Sequence, residues 1–231
     1  MALVFGGDGS ILRAARQMGH RPLPVVGVNF GKLGFLADLL PEDLLPALER
    51  IARGQCEIVG HLMLRCQVLR GERVIVDELG LNEVAIMSGP PFAMQQIEFY
   101  VDSELATTFS CDGLILSTPV GSTAHSLSAG GPIVRKDLQA FVISPINPHT
   151  LTVRPVVDSA ERQYEIVVRP PNPSTYALVD GQAVHPLAPG DRVRVTKAAP
   201  EFQLVQIKGQ GYYRTLREKL GWSGALRAKL S

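Results

Sequence analysis

In the first part of the chain, short apolar runs alternate with segments in which apolar residues recur at helical spacing. Short apolar runs at Ala2–Phe5 and at residues 23–28 predict two buried strands. Apolar residues recur at helical spacing over residues 11–18 and 44–51, and a glycine follows each of these segments. The order strand, helix, strand, helix predicts a small α/β unit with parallel strands.

The pattern changes near residue 56, where helical spacing gives way to alternation of apolar and polar residues. Strand-like segments separated by turn residues continue to about residue 208. An amphipathic helix is predicted at Tyr212–Leu220. We therefore divide the chain into an α/β domain at 1–56, a β-rich domain at 57–208, and a helical tail at 209–231 that is expected to pack back on the first domain.

Composition narrows the classes of partner. The chain has 23 basic and 22 acidic residues among 231, so the charge does not favour a nucleic-acid or membrane-surface partner. No apolar run is long enough to span a bilayer. The three cysteines are odd in number and show no CxxC spacing, which indicates reduced thiols and a cytoplasmic protein.

The first strand leads directly into a glycine-rich loop, Gly6-Gly7-Asp8-Gly9-Ser10. Glycines let backbone N–H groups approach a phosphate, and the start of the following helix favours negative charge. Asp8 is unusual there because a carboxylate repels phosphate. Its presence makes sense if it binds a hydroxyl group or a metal beside the phosphate. A Gly-Asp-Gly turn without a ligand is an equally good interpretation of the loop alone.

The stretch 112–133 is the most distinctive part of the sequence. It predicts a buried strand at 114–116, a Pro-Val-Gly turn and a short helix over 122–129, which a Gly-Gly-Pro sequence ends. Four hydroxyl groups and one histidine in the helix suggest that its first turn binds a polar ligand. The alternative is a serine-rich turn that only connects two strands.

Other polar positions allow two interpretations each. Asn82 and Glu83 interrupt an apolar strand, either as a strand-end turn or as a ligand clamp. The Asp-Gly pair that begins at Asp180 is typical of a hairpin turn. Phe35 and Leu36 either cover a flat ring or belong to the core. The histidines show no metal-ligand spacing, and the sequence contains neither GxSxG nor HExxH.

Taken together, these motifs resemble the NAD kinase family. The similarity runs along the whole chain, and the stretch 112–133 is its most specific part. The matching segments are GGDGS at 6–10, GKLGFLADL at 31–39, LNEVAI at 81–86, DGLILSTPVGSTAHSLSAGGPI at 112–133, SPINPHTLTVRPVV at 144–157, VDGQ at 179–182 and REKLGW at 217–222.

The resemblance implies transfer of the γ-phosphoryl group of ATP to the adenosine 2′-hydroxyl of NAD, which gives NADP. It implies a Rossmann-like α/β domain, incomplete at its start, followed by a β-rich domain with NAD between them and a terminal helix. It also implies a homo-oligomer, either a dimer or a tetramer, and Mg²⁺ or another divalent cation that arrives with ATP. No residue is assigned as a protein ligand of the metal.

The resemblance also assigns residue roles. Asp8 faces the 2′-hydroxyl as a base or an orienting group, and the glycines at 6, 7 and 9 shape the phosphate loop. The residues expected to contact the dinucleotide are Phe35, Asn82, Glu83, Asp112, Thr123, Ala124, His125, Ser128 and Asp180.

The sequence departs from the family pattern at three places. Only five residues precede GGDG, where the family has further strands and a helix, so we expect missing sequence upstream. His125 stands where the family often has Tyr, and Ser110 stands where it often has Arg. Two alternatives remain: a kinase of related fold that acts on a lipid or a sugar, and a dinucleotide-binding protein without catalytic activity.

Overall fold

The computed structural model describes residues 1–31, 34–37, 39–90, 94–169, 174–207 and 212–220, with the side chains of Tyr212 and Arg214 excepted. Four helices and sixteen strands lie in the described residues. The helices are α1 Asp8–Met18, α2 Leu44–Ala52, α3 His125–Ser128 and α4 Tyr212–Leu220, and 3₁₀ turns occur at Pro41–Asp43 and Gly121–Thr123. The strands are β1 Ala2–Phe5, β2 Val25–Val28, β3 Cys56–His61, β4 Leu64–Arg70, β5 Arg73–Gly80, β6 Glu83–Ser88, β7 Gln95–Val101, β8 Glu104–Cys111, β9 Gly113–Ser117, β10 Ala140–Ile146, β11 Val156–Ser159, β12 Tyr164–Arg169, β13 Thr175–Val179, β14 Ala183–Pro186, β15 Asp191–Lys197 and β16 Phe202–Ile207.

The chain divides into two compact units, and the α/β plus β fold class is confirmed. Unit 1 contains Met1–Ala14, Leu23–Val59 and the described residues from Gln203 onward. Unit 2 contains Ala15–Pro22 and Gly60–Phe202. No helix among the described residues is both long enough and apolar enough to cross a membrane.

Unit 1 is built on a four-stranded sheet in the order β1-β2-β16-β3. Both β1 and β16 run parallel to β2. The sequence interpretation placed β16 in the β-rich domain, but its residues Val205 and Ile207 are buried with Val26, Val28 and Leu39. Alternating apolar residues look the same in either sheet, so periodicity alone could not assign this strand.

Helix α2 begins directly after the 3₁₀ turn Pro41–Asp43, so Pro46 lies in its first turn, where its missing N–H is not needed. The apolar residues that recur over 44–51 do not all face the core. Leu45 is 73% exposed, whereas Ala47 is buried in the core of unit 1.

Unit 2 consists of two six-stranded sheets. Their strand orders are β11-β10-β9-β6-β13-β14 and β5-β4-β15-β12-β7-β8, and the β4–β5 and β13–β14 hairpins lie where turn residues predict them. Side chains from both sheets form one hydrophobic core. At its centre Tyr164 stacks on Phe99 of its own sheet and meets Phe141 of the other edge-on, with ring centroids 5.7 and 5.8 Å apart.

The segment after β9 differs from the expected single helix. It forms the 3₁₀ turn Gly121–Thr123 and then the four-residue helix α3. Ala124, between them, has φ −105° and ψ −127°, which breaks the helical path. This segment is therefore a folded turn, and it has no extended helix that could direct an N-terminus at a ligand.

Candidate functional site

The glycine loop of unit 1 has one glycine that the backbone requires and two that it does not. Gly6 has φ +134°, and a Cβ there would collide with the Ser10 side chain. A Cβ on Gly7 or Gly9 would meet no atom within 4 Å. The open space at these two positions, at the start of α1, leaves room for a ligand near the positive end of the helix.

The Asp8 carboxylate binds the loop that follows β2. Its Oδ2 accepts the N–H of Phe35 at 2.8 Å, and its Oδ1 accepts the N–H groups of Leu36 and Ala37 at 2.9 and 3.1 Å. These bonds tie together the loops at the carboxyl ends of two adjacent parallel strands, where open α/β sheets bind their ligands.

Gly34 permits this contact, because a Cβ there would collide with Asp8 Oδ1 and lie 2.8 Å from the Ala37 carbonyl oxygen.

Within the same loop Leu36 is buried, whereas Phe35 is half-buried. The Lys219 ammonium of α4 lies 4.6 Å from the centre of the Phe35 ring. Leu36 is thus a core residue, and the remaining residues of the 31–39 motif, Lys32, Leu33 and Asp38, lie outside the described part of the chain.

Asp180 of unit 2 repeats the same arrangement. Its carboxylate accepts the N–H groups of Leu81, Asn82 and Glu83 at 2.8, 2.7 and 3.1 Å. It occupies the turn of the β13–β14 hairpin with φ +52°, a conformation that Asp tolerates better than most residues. Asp180 therefore serves both as a hairpin residue and as the acceptor that fixes the backbone of residues 81–83.

Glu83 is a buried carboxyl group next to this acceptor. It is 6% exposed, and its Oε2 has no hydrogen-bond partner among the described residues. Burial, and then the negative charge of Asp180, raise the pKa of Glu83 to about 8. Burial also raises the pKa of Asp180, but its three N–H donors counteract this effect. Because the pKa of Glu83 lies above 7, Glu83 is mainly protonated at neutral pH.

The turn after β9 packs against the backbone of Leu81 and Asn82. Thr118 Oγ1 donates to the Leu81 carbonyl oxygen at 2.6 Å, and the Thr118 N–H donates to the Asn82 carbonyl oxygen at 2.8 Å. A Cβ on Gly121 would collide with that same carbonyl. Ser122 is fully buried; its hydroxyl donates to the Pro119 carbonyl oxygen of the turn and accepts the N–H of Val134 beyond it. Several hydroxyl groups that the sequence suggested as ligand groups thus stabilise the turn itself.

The four predicted residues at the end of this turn remain accessible. Thr123, Ala124 and His125 are half-buried, and Ser128 is exposed. Thr123 Oγ1 donates to the Val120 carbonyl oxygen at 3.1 Å. Unit 2 therefore brings this turn together with Asn82, Glu83 and Asp180.

Asp112 lies apart from this group. It precedes β9, whereas Thr118 follows that strand, so about 20 Å of extended chain separates the two residues. Its carboxylate accepts a hydrogen bond from Asn147 at 3.1 Å and lies 3.6 Å from the His149 ring. The sequence interpretation grouped Asp112 with the turn residues, but the fold of one chain places it at the opposite end of the strand.

Sequence reasoning missed three residues that shape these loops: Gly34, Thr118 and Gly121. Each lies inside a motif that was recognised, but only the structure shows the close contact that requires it. In the described residues, no group of three or more His, Cys, Asp or Glu is arranged to hold a metal ion.

The fold and site define a nucleotide-binding protein with an α/β unit that carries a glycine-rich loop and a β-rich unit that carries an Asn-Glu segment. Models of the ATP-NAD kinase N-terminal and C-terminal domains match residues 1–56 and 81–207. The NAD kinase of Rhodopirellula baltica is 57% identical over 98% of this chain and 73% of its own length, and that of Geotalea daltonii is 41% identical over 96% and 78%. The chain belongs to the NAD kinase family.

Solved structures agree with this assignment. A crystal structure of yeast NADH kinase complexed with NADH has a TM-score of 0.90 at 26% identity, over 98% of this chain and 67% of the yeast chain. An NAD kinase from Archaeoglobus fulgidus in complex with ATP has a TM-score of 0.80 at 29% identity, over 95% of this chain and 82% of its own.

We expect Gly34→Ala to lower the free energy of unfolding by about 1–3 kcal/mol, because a methyl group would push the Asp8 carboxylate away from its three N–H donors. Urea unfolding measures the effect. Gly31→Ala is the matched control in the same loop, since a Cβ there lies 3.8 Å from the nearest side-chain atom. Equal unfolding free energies for the two variants would contradict the role of Gly34.

The raised pKa of Glu83 makes stability depend on pH. Its stabilising effect is complete below the unfolded-state value near 4.5 and is lost as the pH rises toward about 8. Glu83→Gln stays neutral, so its free energy of unfolding relative to the parent should rise between pH 5 and pH 8, by on the order of 2–4 kcal/mol. The control is Glu104→Gln at an exposed site. If the free energies of unfolding of Glu83→Gln and of the parent depend on pH in the same way, the pKa of Glu83 is not raised in the folded protein.

Proposed function

We infer that this chain transfers the γ-phosphoryl group of ATP to the 2′-hydroxyl of NAD and so produces NADP. The observation that carries this conclusion is the match of both units to the two domains of the family, together with 57% identity to a curated NAD kinase. A kinase of related fold that acts on a lipid or a sugar should keep GGDG but lack the 112–133 stretch and Asn82-Glu83. A dinucleotide-binding protein without activity should keep the binding residues and lose the phosphate loop.

We assign the phosphate-handling role to unit 1. Gly7 and Gly9 have open space beside them, and the start of α1 favours negative charge. Phosphoryl transfer depends mainly on positioning and charge stabilisation, and a glycine loop at a helix start supplies both.

Asp8 is the residue we assign to the reacting hydroxyl. A carboxylate has about four lone-pair positions, and three of them accept N–H groups of residues 35–37. The remaining lone pair lies on Oδ2, and we propose that it accepts the hydrogen of the 2′-hydroxyl, either to orient the hydroxyl or to take its proton. Because the three bonds fix the carboxylate, it needs little reorganisation when substrate binds.

We assign dinucleotide binding to unit 2. Asn82 supplies a side-chain amide, and Glu83, protonated at neutral pH, supplies an O–H donor for a ribose oxygen. Asp180 acts mainly by positioning these two residues. The accessible turn residues Thr123, Ala124, His125 and Ser128 provide further polar contacts. Phe35 of unit 1 offers an aromatic face to the same substrate.

When a divalent cation, most simply Mg²⁺, is bound with ATP, it neutralises part of the phosphate charge. The described residues offer no protein cage for it, so we assign none of them as its ligand.

We further propose that the protein is a cytoplasmic homo-oligomer. The described chain places Asp112 about 20 Å from the turn residues, and we propose that in the oligomer a second copy supplies Asp112 to the dinucleotide that these turn residues bind. All three cysteines are free thiols, which is consistent with a reducing compartment.

The direct test is an assay of the purified chain with ATP and Mg²⁺, in which either NAD or NADH is the acceptor and NADP(H) formation is measured. We expect ATP-dependent formation of the phosphorylated dinucleotide. Asp8→Asn should lower kcat by about 10²–10⁴-fold with little change in the KM for NAD, because the amide that replaces the carboxylate cannot take the hydroxyl proton.

Asn82→Ala is the matched variant from unit 2. It should raise the KM for NAD and change kcat much less, because it removes a contact made equally in the ground state and the transition state. Near-parental kcat in Asp8→Asn together with loss of turnover in Asn82→Ala would show that these roles are assigned wrongly.

A further inference from the structure

The outer face of one sheet of unit 2 contains a cavity of about 300 Å³ that the proposed reaction does not use. Side chains alternate along a strand, and Ile166 and Val168 of β12 face the core, so Glu165 and Val167 face outward. On that face Glu165 is the direct cross-strand neighbour of Arg194 on β15 and of Tyr100 on β7. The cavity is lined by residues that include Tyr100, Glu165, Val167, Arg169, Arg192 and Arg194.

Glu165 forms the floor of this cavity. Although its strand position faces outward, it is only 7% exposed, because long neighbouring side chains surround it. Its Oε1 accepts hydrogen bonds from Arg194 Nε and Nη2 at 2.9 and 2.8 Å. One buried carboxylate thus fixes the orientation of the Arg194 guanidinium group before any ligand is present.

Arg192 is the arginine of the cavity whose guanidinium group has the weakest contacts with carboxylates. Its guanidinium lies 3.6 Å from Glu165 and 3.9 Å from Glu72, and Glu72 is 98% exposed. Neither distance is a hydrogen bond, and within the described ranges Arg192 makes none. Arg169, on the other side, uses Nε for Glu98 at 3.1 Å and has further N–H groups on its fork.

The charge of the lining selects the class of ligand. Three guanidinium groups and one carboxylate line the cavity, so cations outnumber anions among the lining side chains, and Glu98 and Glu72 lie beside Arg169 and Arg192 outside the lining. A phosphate monoester carries about −1.5 to −2 charges at pH 7, and arginine forks match its oxygen atoms bidentately. The Tyr100 ring and Val167 add a non-polar wall that suits the organic part of such an ester.

We propose that this cavity is a second binding site, which holds the phosphate group of a small phosphate monoester between Arg192 and Arg169. It lies outside the residues assigned to ATP and NAD, so a ligand bound there does not compete with either substrate for those residues. The same phosphate chemistry could be offered by free inorganic phosphate or by a sugar phosphate, and the two sources differ in whether they use the Tyr100 wall.

The test is isothermal titration calorimetry of the purified chain at low ionic strength, with inorganic phosphate and with ribose 5-phosphate as separate probes. We expect saturable binding of both, weakened by added salt. Tighter binding of ribose 5-phosphate indicates that the organic part contacts the Tyr100 wall, and equal binding indicates a site for the phosphate group alone. Arg192→Gln should weaken binding about tenfold or more.

The matched control is Arg65→Gln, which removes an arginine from the same sheet, where it pairs with Asp77 outside the cavity. This variant should bind both probes as the parent does. Arg192→Lys retains the charge but loses the planar fork, so it should bind with intermediate affinity and also tests the proposal if Arg192→Gln folds poorly.

Two results would overturn the proposal. One is the absence of saturable binding of either probe by the parent chain. The other is equal weakening by Arg192→Gln and Arg65→Gln, or no weakening by either, which would place the phosphate elsewhere on the protein, including in the kinase site.

Discussion

Asp8 and Asp180 each accept three consecutive backbone N–H groups, and the loops that carry the candidate site depend on these bonds. A loop has no sheet or helix partners for its backbone, so its conformation must be stabilised in another way. A carboxylate is well suited, because it accepts several hydrogen bonds at once and each is charge-assisted. Each unit contains one such arrangement.

The energetic balance explains why these residues are aspartates. Burying a carboxylate costs several kcal/mol, whereas a hydrogen bond to a charged group contributes about 1.5–3 kcal/mol. Three such bonds therefore offset part of the cost of burial at Asp180, whose pKa is still raised by that burial. Glu83, which lies next to it and has no comparable set of donors among the described residues, retains its proton instead. Burial thus raises the pKa of both neighbouring carboxyl groups, and backbone donors oppose the shift only at Asp180.

The sequence predicted the fold class, the glycine loop, most hairpins and the identity of the functional motifs. Periodicity and turn residues are local signals, and they were sufficient for these features. It did not reveal that β16 joins the first sheet, because sheet membership depends on contacts between residues far apart in the chain. For the same reason it did not show that Asp8 and Asp180 each hold another loop, through contacts with residues about 27 and 100 positions away. The separation of Asp112 from the turn residues follows from the length of β9, which the motif by itself does not convey.

The central claim is that Asp180 holds residues 81–83 in a binding conformation before the dinucleotide arrives. Hydrogen exchange at the amides of Leu81, Asn82 and Glu83, measured without ligand in the parent and in Asp180→Asn, tests it most directly, because Asn keeps the size of the side chain and tolerates the positive φ. The account predicts slow exchange in the parent, faster exchange at these three amides alone in the variant, and a raised KM for NAD with kcat largely retained. Unchanged exchange, or faster exchange with an unchanged KM for NAD, would contradict it.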